Sequence, residues 1–480
     1  MAETLKEKTA KGLFWGGLNN GVQQLLNLLF GIFLARLLSQ SDYGIIGMIA
    51  IFSSLATTLQ GGGFASAINR KKDVCHDDYN AVFWTSVSIS AAIYIILYVC
   101  SPLIADFYGM PELIPLSRYT FLGFLIASVG IAPAAYMFRN MMVREMAILQ
   151  ISSIFIAGVV GTIMAYSGFS YWGLATQNNI CILVGAVMYY YFTGWRPSLK
   201  IRLSPIRGML AFSSKLIITN IFNIINANIF SVILGKKYLP RDVGNYTQAN
   251  KWNNMGSSFI SGMLSNVAQP VFARVNDDKE RQKRVFRKLL RFTAFISFPA
   301  MFGLALVAKE FIVILLTEKW LESALMMQML CIAGAFAPLS SLFSNLIITR
   351  GHSTTYMWCS IALCLIQLLA VILSAGYGIE RMIQCYVIIN IVWLFVWHYY
   401  THQEICLRLS ELIKDVSPYF LLTLLIVAAA AQLTVNIANI YLSLVLKVVF
   451  VTVSYFISLW LLGSTIFQDL ITAIKNREIV

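Results

Sequence analysis

The stretch Leu34-Ala35-Arg36-Leu37-Leu38-Ser39-Gln40-Ser41-Asp42-Tyr43-Gly44 closes one apolar run and opens the next. At an offset of 200 residues, Leu234-Gly235-Lys236-Lys237-Tyr238-Leu239-Pro240-Arg241-Asp242-Val243-Gly244 does the same. Without a gap, that offset also sets Asn20 on Asn220, Phe30 on Phe230 and Gly62 on Gly262. The weight lies less in the number of identities than in the Asp-x-Gly element, which falls in the same turn both times. At an offset of 205, Ala132-Pro133-x4-Phe138-x-Asn140 returns as Ala337-Pro338-x4-Phe343-x-Asn345. Self-similarity at long range marks a duplicated structural unit. An even number of apolar runs separates the copies, so they point the same way, a parallel repeat about an axis along the membrane normal.

Composition says what solvent such a unit needs. Of 480 residues, 58% are apolar and 12% charged, and the mean hydropathy is +0.72. An ordinary soluble domain carries about twice that charged share. Apolar stretches of about 20 residues, the length that crosses about 30 Å of hydrocarbon as a helix, recur along the chain. Spans are expected near 13–38, 43–68, 81–105, 116–138, 146–167, 170–193, 208–235, 242–272, 286–308, 324–347, 354–376, 380–400, 416–435 and 440–463. The expected fold is an all-α integral membrane protein with fourteen transmembrane helices. Residues 1–200 and 201–405 form two six-helix lobes, and 406–480 two extra helices and a tail. Gly61, Gly62 and Gly63, and Pro133, Pro299 and Pro338, sit inside spans and predict kinks or hinges.

The net charge of +14 reports topology. With the N-terminus inside, 25 basic residues fall in inside segments, 8 outside, and 3, Lys215, Lys251 and Lys447, within helices. That excess sets both termini in the cytoplasm and argues against nucleic acid as a partner. The run Arg274 to Arg291 reads as a positive-inside determinant, or as a gatherer of anionic lipid heads. Met1 to Lys11 is polar and precedes no cleavage site, so no removable signal peptide is expected. Eight cysteines make no CxxC pair and read as small apolar residues; neither metal nor cofactor is expected.

Polar residues inside spans gather on faces. On the first helix Asn19, Gln23 and Asn27 share an arc, with Asn20 and Gln24 beside them. On the seventh lie Lys215, Thr219, Asn223 and Asn226; on the eighth Asn250, Asn253, Asn254, Ser257 and Ser261, flanked by Lys251. Ser53, Ser54, Thr57 and Thr58 echo the last stripe on the second helix. Such residues either join helices by hydrogen bonds or line a water-filled cavity. Lysines in lipid are functional candidates by default, so Lys215 and Lys251 are expected to bind an anionic group at two depths. Lys447 is expected to snorkel to the outer interface. No carboxylate is expected within the membrane. Arg36, Lys236, Lys237 and Arg241 lie near Asp42 and Asp242 at one end, either as ion pairs of an outer gate or as plain turn charges. Each Asp-x-Gly reads as a helix cap.

Ala35-Arg36-Leu37-Leu38 with Asp42-Tyr43-Gly44, Phe64-Ala65, Ile68-Asn69-Arg70-Lys71, Asn276-Asp277-Asp278 before the basic run, and Glu318-Lys319-Trp320 together resemble the Wzx-type polysaccharide flippases. The resemblance is strongest to colanic acid exporters, within the superfamily of multidrug extruders and lipid II flippases. It covers nearly the whole chain and implies two six-helix lobes about a cavity that opens to either side in turn. It implies a polyprenyl-diphosphate-linked oligosaccharide cargo, membrane lipids around it, the polysaccharide polymerase and chain-length machinery as neighbours, and a bacterial inner-membrane location. The protein is expected to act as a monomer. The arginine-rich cavity of lipid II flippases is unmatched in the first two helices apart from Arg36. The first-lobe carboxylate of proton-coupled drug extruders is absent, which weighs against a drug extruder. A membrane enzyme of the same pathway is disfavoured by short outer loops and only four histidines.

Overall fold

The computed structural model describes residues 5–61, 68, 74–199, 207–464 and 466–468; of 5–14, 16, 17, 61 and 207–218 it describes the backbone alone. Its helices are α1 (Leu5–Leu37), α2 (Gln40–Gly61), α3 (His76–Tyr108), α4 (Leu113–Arg139), α5 (Val143–Tyr166), α6 (Tyr171–Thr193), α7 (Arg207–Lys237), α8 (Pro240–Arg274), α9 (Lys279–Leu306), α10 (Ala308–Leu316), α11 (Leu321–Thr349), α12 (Ser353–Ser374), α13 (Ile379–Ile405), α14 (Leu409–Thr434) and α15 (Ile440–Leu461). Among the described residues each expected span falls on one long helix, the span 43–68 as far as Gly61, and the short α10 is the addition. Among the described residues, ten helices are long and apolar enough to cross a membrane. The polar content of α1, α6 and α8 keeps them off that count: lysines and amides in α1 and α8, amides and tyrosines in α6. Helices α4, α9 and α11 run continuously through Pro133, Pro299 and Pro338. Gly62 and Gly63 lie outside the described residues.

The chain divides into two compact units, residues 1–244 and 245–480. In the first, α3 lies along α4, α5 along α6, α4 along α6, α1 along α5, and α2 along α7. Helix α2 starts with a reciprocal cap. The Asp42 carboxylate accepts from the Ser39 N–H at 2.8 Å and its hydroxyl at 2.7 Å, while Ser39 Oγ accepts from the Asp42 N–H at 3.2 Å. Ser170 Oγ donates to the other Asp42 oxygen. At the second copy Asp242 accepts from the Leu239 N–H at 3.1 Å. The cap reading thus gains a detail: both aspartates act from inside the first turn.

The two turns meet. A Cβ placed on Gly44 would lie 1.8 Å from the Pro240 carbonyl oxygen, and one on Gly244 would lie 1.8 Å from the Gln40 carbonyl oxygen. Backbone touches backbone reciprocally, as a local two-fold relation requires, and only glycine admits it.

In the second unit α9 lies along α11 and α14, α11 along α13, and α14 along α15. Phe298 on α9 is ringed by Phe302, Phe336 and Phe420 at 5.2 to 5.8 Å between centroids. Two expectations are corrected here. Lys447 does not snorkel: its ammonium pairs with Glu310 on α10, and Ser443 Oγ donates to the same carboxylate at 2.9 Å. Glu310 is 6% exposed, so a carboxylate does sit buried among the helices. The reason is α10, a helix folded where the sequence reading drew only a connection. The basic run is also more than a topology signal. Arg287 forks onto Asp415 at 2.6 and 3.1 Å and reaches Glu411 at 3.2 Å, with Lys283 on Glu411 at 2.9 Å. Half a face of α9 is thereby fastened to the start of α14.

Candidate functional site

Helix α1 has three faces. At 100° per residue, Asn20, Gln24 and Asn27 fall within about 60° of each other, and all three are exposed. Leu18, Leu25, Leu29 and Phe33, 42 to 61% exposed, cluster on roughly the opposite side. Between them Asn19 and Gln23 turn inward to α5. Asn19 Nδ2 donates to Gln150 Oε1 at 2.7 Å, Gln23 Nε2 to the same oxygen at 2.7 Å and to Asn19 Oδ1 at 2.8 Å. One stripe of the sequence therefore divides: Asn19 and Gln23 join helices, while Asn20, Gln24 and Asn27 stay accessible on a side that carries no exposed leucine.

Helix α8 repeats the pattern within the second unit. Lys251, Asn254 and Ser258 are exposed together, and Phe259, Met263 and Val267 are exposed about 150° away. Lys251 Nζ lies 5.8 Å from the centroid of the Trp252 ring. Asn253 is buried, its amide oxygen pressed where Gly334 of α11 has no side chain. Asn250 is half-buried. On α7, Asn223 and Asn226 are half-buried, and the Asn226 amide oxygen has no hydrogen-bond partner. The side chain of Lys215 lies outside the described residues.

Around the Gly44 and Gly244 contact, Arg36, Lys236 and Arg241 are exposed, Asp42 is buried and Asp242 half-buried. Lys236 donates to the Phe107 carbonyl and sits 4.8 Å from that ring's centroid. Pro133 and Pro338 are both buried within their helices. Gln150 and Glu310 were missed by sequence reasoning. Gln150 carried a signal, the one amide in an expected span that runs from Met146 to Ser167. Glu310 carried none that separated it from a loop carboxylate.

Long apolar helices, with exposed leucines on one face and accessible amides on another, define a multi-pass membrane protein of transporter fold. The family of polysaccharide biosynthesis proteins matches residues 33–325, and the chain belongs to that family. It is 25% identical over 355 residues to the lipopolysaccharide biosynthesis protein WzxC of Escherichia coli, covering 73% of this chain and 71% of that one. It is 22% identical over 379 residues to the succinoglycan biosynthesis transport protein ExoT of Rhizobium meliloti, covering 79% and 76%. Its fold is similar to that of the lipid II flippase MurJ in an inward closed conformation, with a TM-score of 0.76 over 96% of this chain and 100% of that one at 13% identity. An inward-facing multidrug resistance MATE family transporter matches with a TM-score of 0.65 over 82% and 96% at 16% identity.

Proposed function

We propose that the protein is a flippase that carries polyprenyl-diphosphate-linked oligosaccharide repeat units from the cytoplasmic to the outer leaflet of a bacterial inner membrane, for surface polysaccharide assembly. The observation that carries this reading is α1, whose accessible amides and accessible leucines occupy opposite sides. Such a helix serves a cargo with a hydroxyl-rich head and a tail that stays in lipid. The relatives' names, a lipopolysaccharide biosynthesis protein and a succinoglycan transport protein, support a glycan head.

In this reading Asn20, Gln24 and Asn254 pair with sugar hydroxyls, and Lys215 and Lys251 hold the diphosphate by charge. The lobes are 1–200 and 201–405, with 406–480 appended, and both termini are cytoplasmic. The Gly44 and Gly244 contact closes the outer side, and Pro133 and Pro338 absorb the bending. An inside-negative potential favours outward passage of an anion by about 2.3 kcal/mol per charge per 100 mV. The monomer hands its cargo to the polymerase and chain-length machinery.

Deleting the protein in its host and following the lipid-linked repeat tests this. Accumulation in the inner leaflet is expected; normal surface glycan with drug hypersensitivity would overturn it in favour of a drug extruder. Lys215→Ala and Lys251→Ala should each abolish complementation at unchanged protein level, and full activity in both would end the role given to them.

A further inference from the structure

In the first unit, α1, α4, α5 and α6 line an open cavity of about 410 Å³, within the range of small-molecule sites. Its walls include Gln23, Gln150, Ser153 and Tyr189, with Gly130 and Gly185 giving it room. Aspartate, glutamate, lysine and arginine are all absent from the side chains that line it. This is a different place from the exposed stripe of α1, because Gln23 lies on the inward face.

The three amide bonds described above consume the donors of Gln23 and the carbonyl of Gln150. They leave the Gln150 amide nitrogen, a double donor, and the Gln23 carbonyl, an acceptor, at the wall of the cavity. A hydroxyl, which both donates and accepts, satisfies that pair. A diphosphate, which only accepts and carries charge, finds no cation among the described residues that line it. A prenyl chain would leave accessible amides facing hydrocarbon, which burial penalises. The remaining wall is mostly apolar with one aromatic ring, suited to the C–H faces of a sugar.

We propose that this cavity is a neutral carbohydrate subsite that takes one hexose ring of the glycan head. The proposal rests on the flippase reading and adds to it where sugar identity is sensed: in the interior of the first unit, apart from the lysines.

The test is native mass spectrometry of the purified full chain with two probes, polyprenyl diphosphate bearing one hexose and polyprenyl diphosphate alone, against phosphatidylglycerol. The wild type should bind the hexose-bearing lipid about fivefold more tightly than the bare one, the worth of one or two neutral hydrogen bonds. Gln150→Leu should erase that preference and leave the bare lipid's affinity unchanged. Gly185→Ile should do the same from another wall. A Cβ at Gly185 would lie 3.6 Å from Ser153 Oγ and 3.8 Å from Leu149, ordinary contacts, so the added side chain fills space without a clash at its root.

A preference that survives both variants, or is missing in the wild type, overturns the proposal and leaves the flippase reading standing. Loss of the bare lipid in both variants also overturns it, since the cavity would then serve the fold. A wild type that separates neither probe from phosphatidylglycerol brings down the flippase reading itself.

Discussion

At residue 44 there is no room for a methyl group, and at residue 244 there is none either. Gly44→Ala should force the turn away from the Pro240 carbonyl and lower repeat-unit transport about tenfold or more, because packed contacts switch rather than stretch. Gly244→Ala should match it, and the double variant should be little worse than either single one, since both remove a shared contact. Complementation of the deletion strain at equal protein level checks this; additive losses would mean two separate defects. Lys447 is a second residue-scale case. Lys447→Met alone leaves the Glu310 carboxylate buried and unpaired, at a cost of about 3–5 kcal/mol. Lys447→Met with Glu310→Gln should recover most of that, read by thermal unfolding in detergent. A double variant as unstable as the single would show that the loss comes from the missing pair or the lysine's own packing, and not from a stranded carboxylate. The sequence made Asp42, Asp242 and both glycines legible, because a repeat displays them. It hid the Glu310 partner of Lys447, because ion pairs between distant segments leave no local periodicity.

At the scale of the element, helix positions were legible and helix faces only half so. Periodicity gathered the amides of α1 onto one side, but nothing in a single helix says where its neighbour lies. Gln150, on α5, decides that Asn19 and Gln23 are joints while Asn20, Gln24 and Asn27 remain accessible. The same limit applied to α8, where Asn253 and Asn254 are adjacent in sequence yet buried and exposed respectively. The basic run of α9 was legible as charge and illegible as attachment. Arg287→Ala should loosen α14 from α9, costing about 2 kcal/mol for the lost charge-assisted bonds. Limited proteolysis should then cut faster in the 405–409 link; an unchanged cleavage rate would show that apolar contacts alone hold α14.

At the scale of the molecule, composition made the membrane legible as the solvent, and the basic-residue asymmetry predicts an orientation. If that orientation holds, alkaline phosphatase fused after residue 275 should be inactive and a cytoplasmic reporter at the same site active, with the pattern reversed after residue 238. The opposite result would invert the proposed direction of transport. The long helices among the described residues were readable because each span must satisfy its own backbone in lipid and therefore declares itself in a single run of sequence. The cavity among α1, α4, α5 and α6 was not readable, since it is made of what four separate helices leave unfilled.

The reciprocal contact of Gly44 and Gly244 has a consequence for how such proteins diversify. In the proposed flippase, a closure made of main chain would hold no side chain that another substitution could retune, and would be indifferent to the cargo it confines. The walls proposed to meet the sugar could then drift to suit a new glycan while the closing part stays the same, which would separate what is recognised from when the passage opens. A lineage built this way is free to change its customers without redesigning its door.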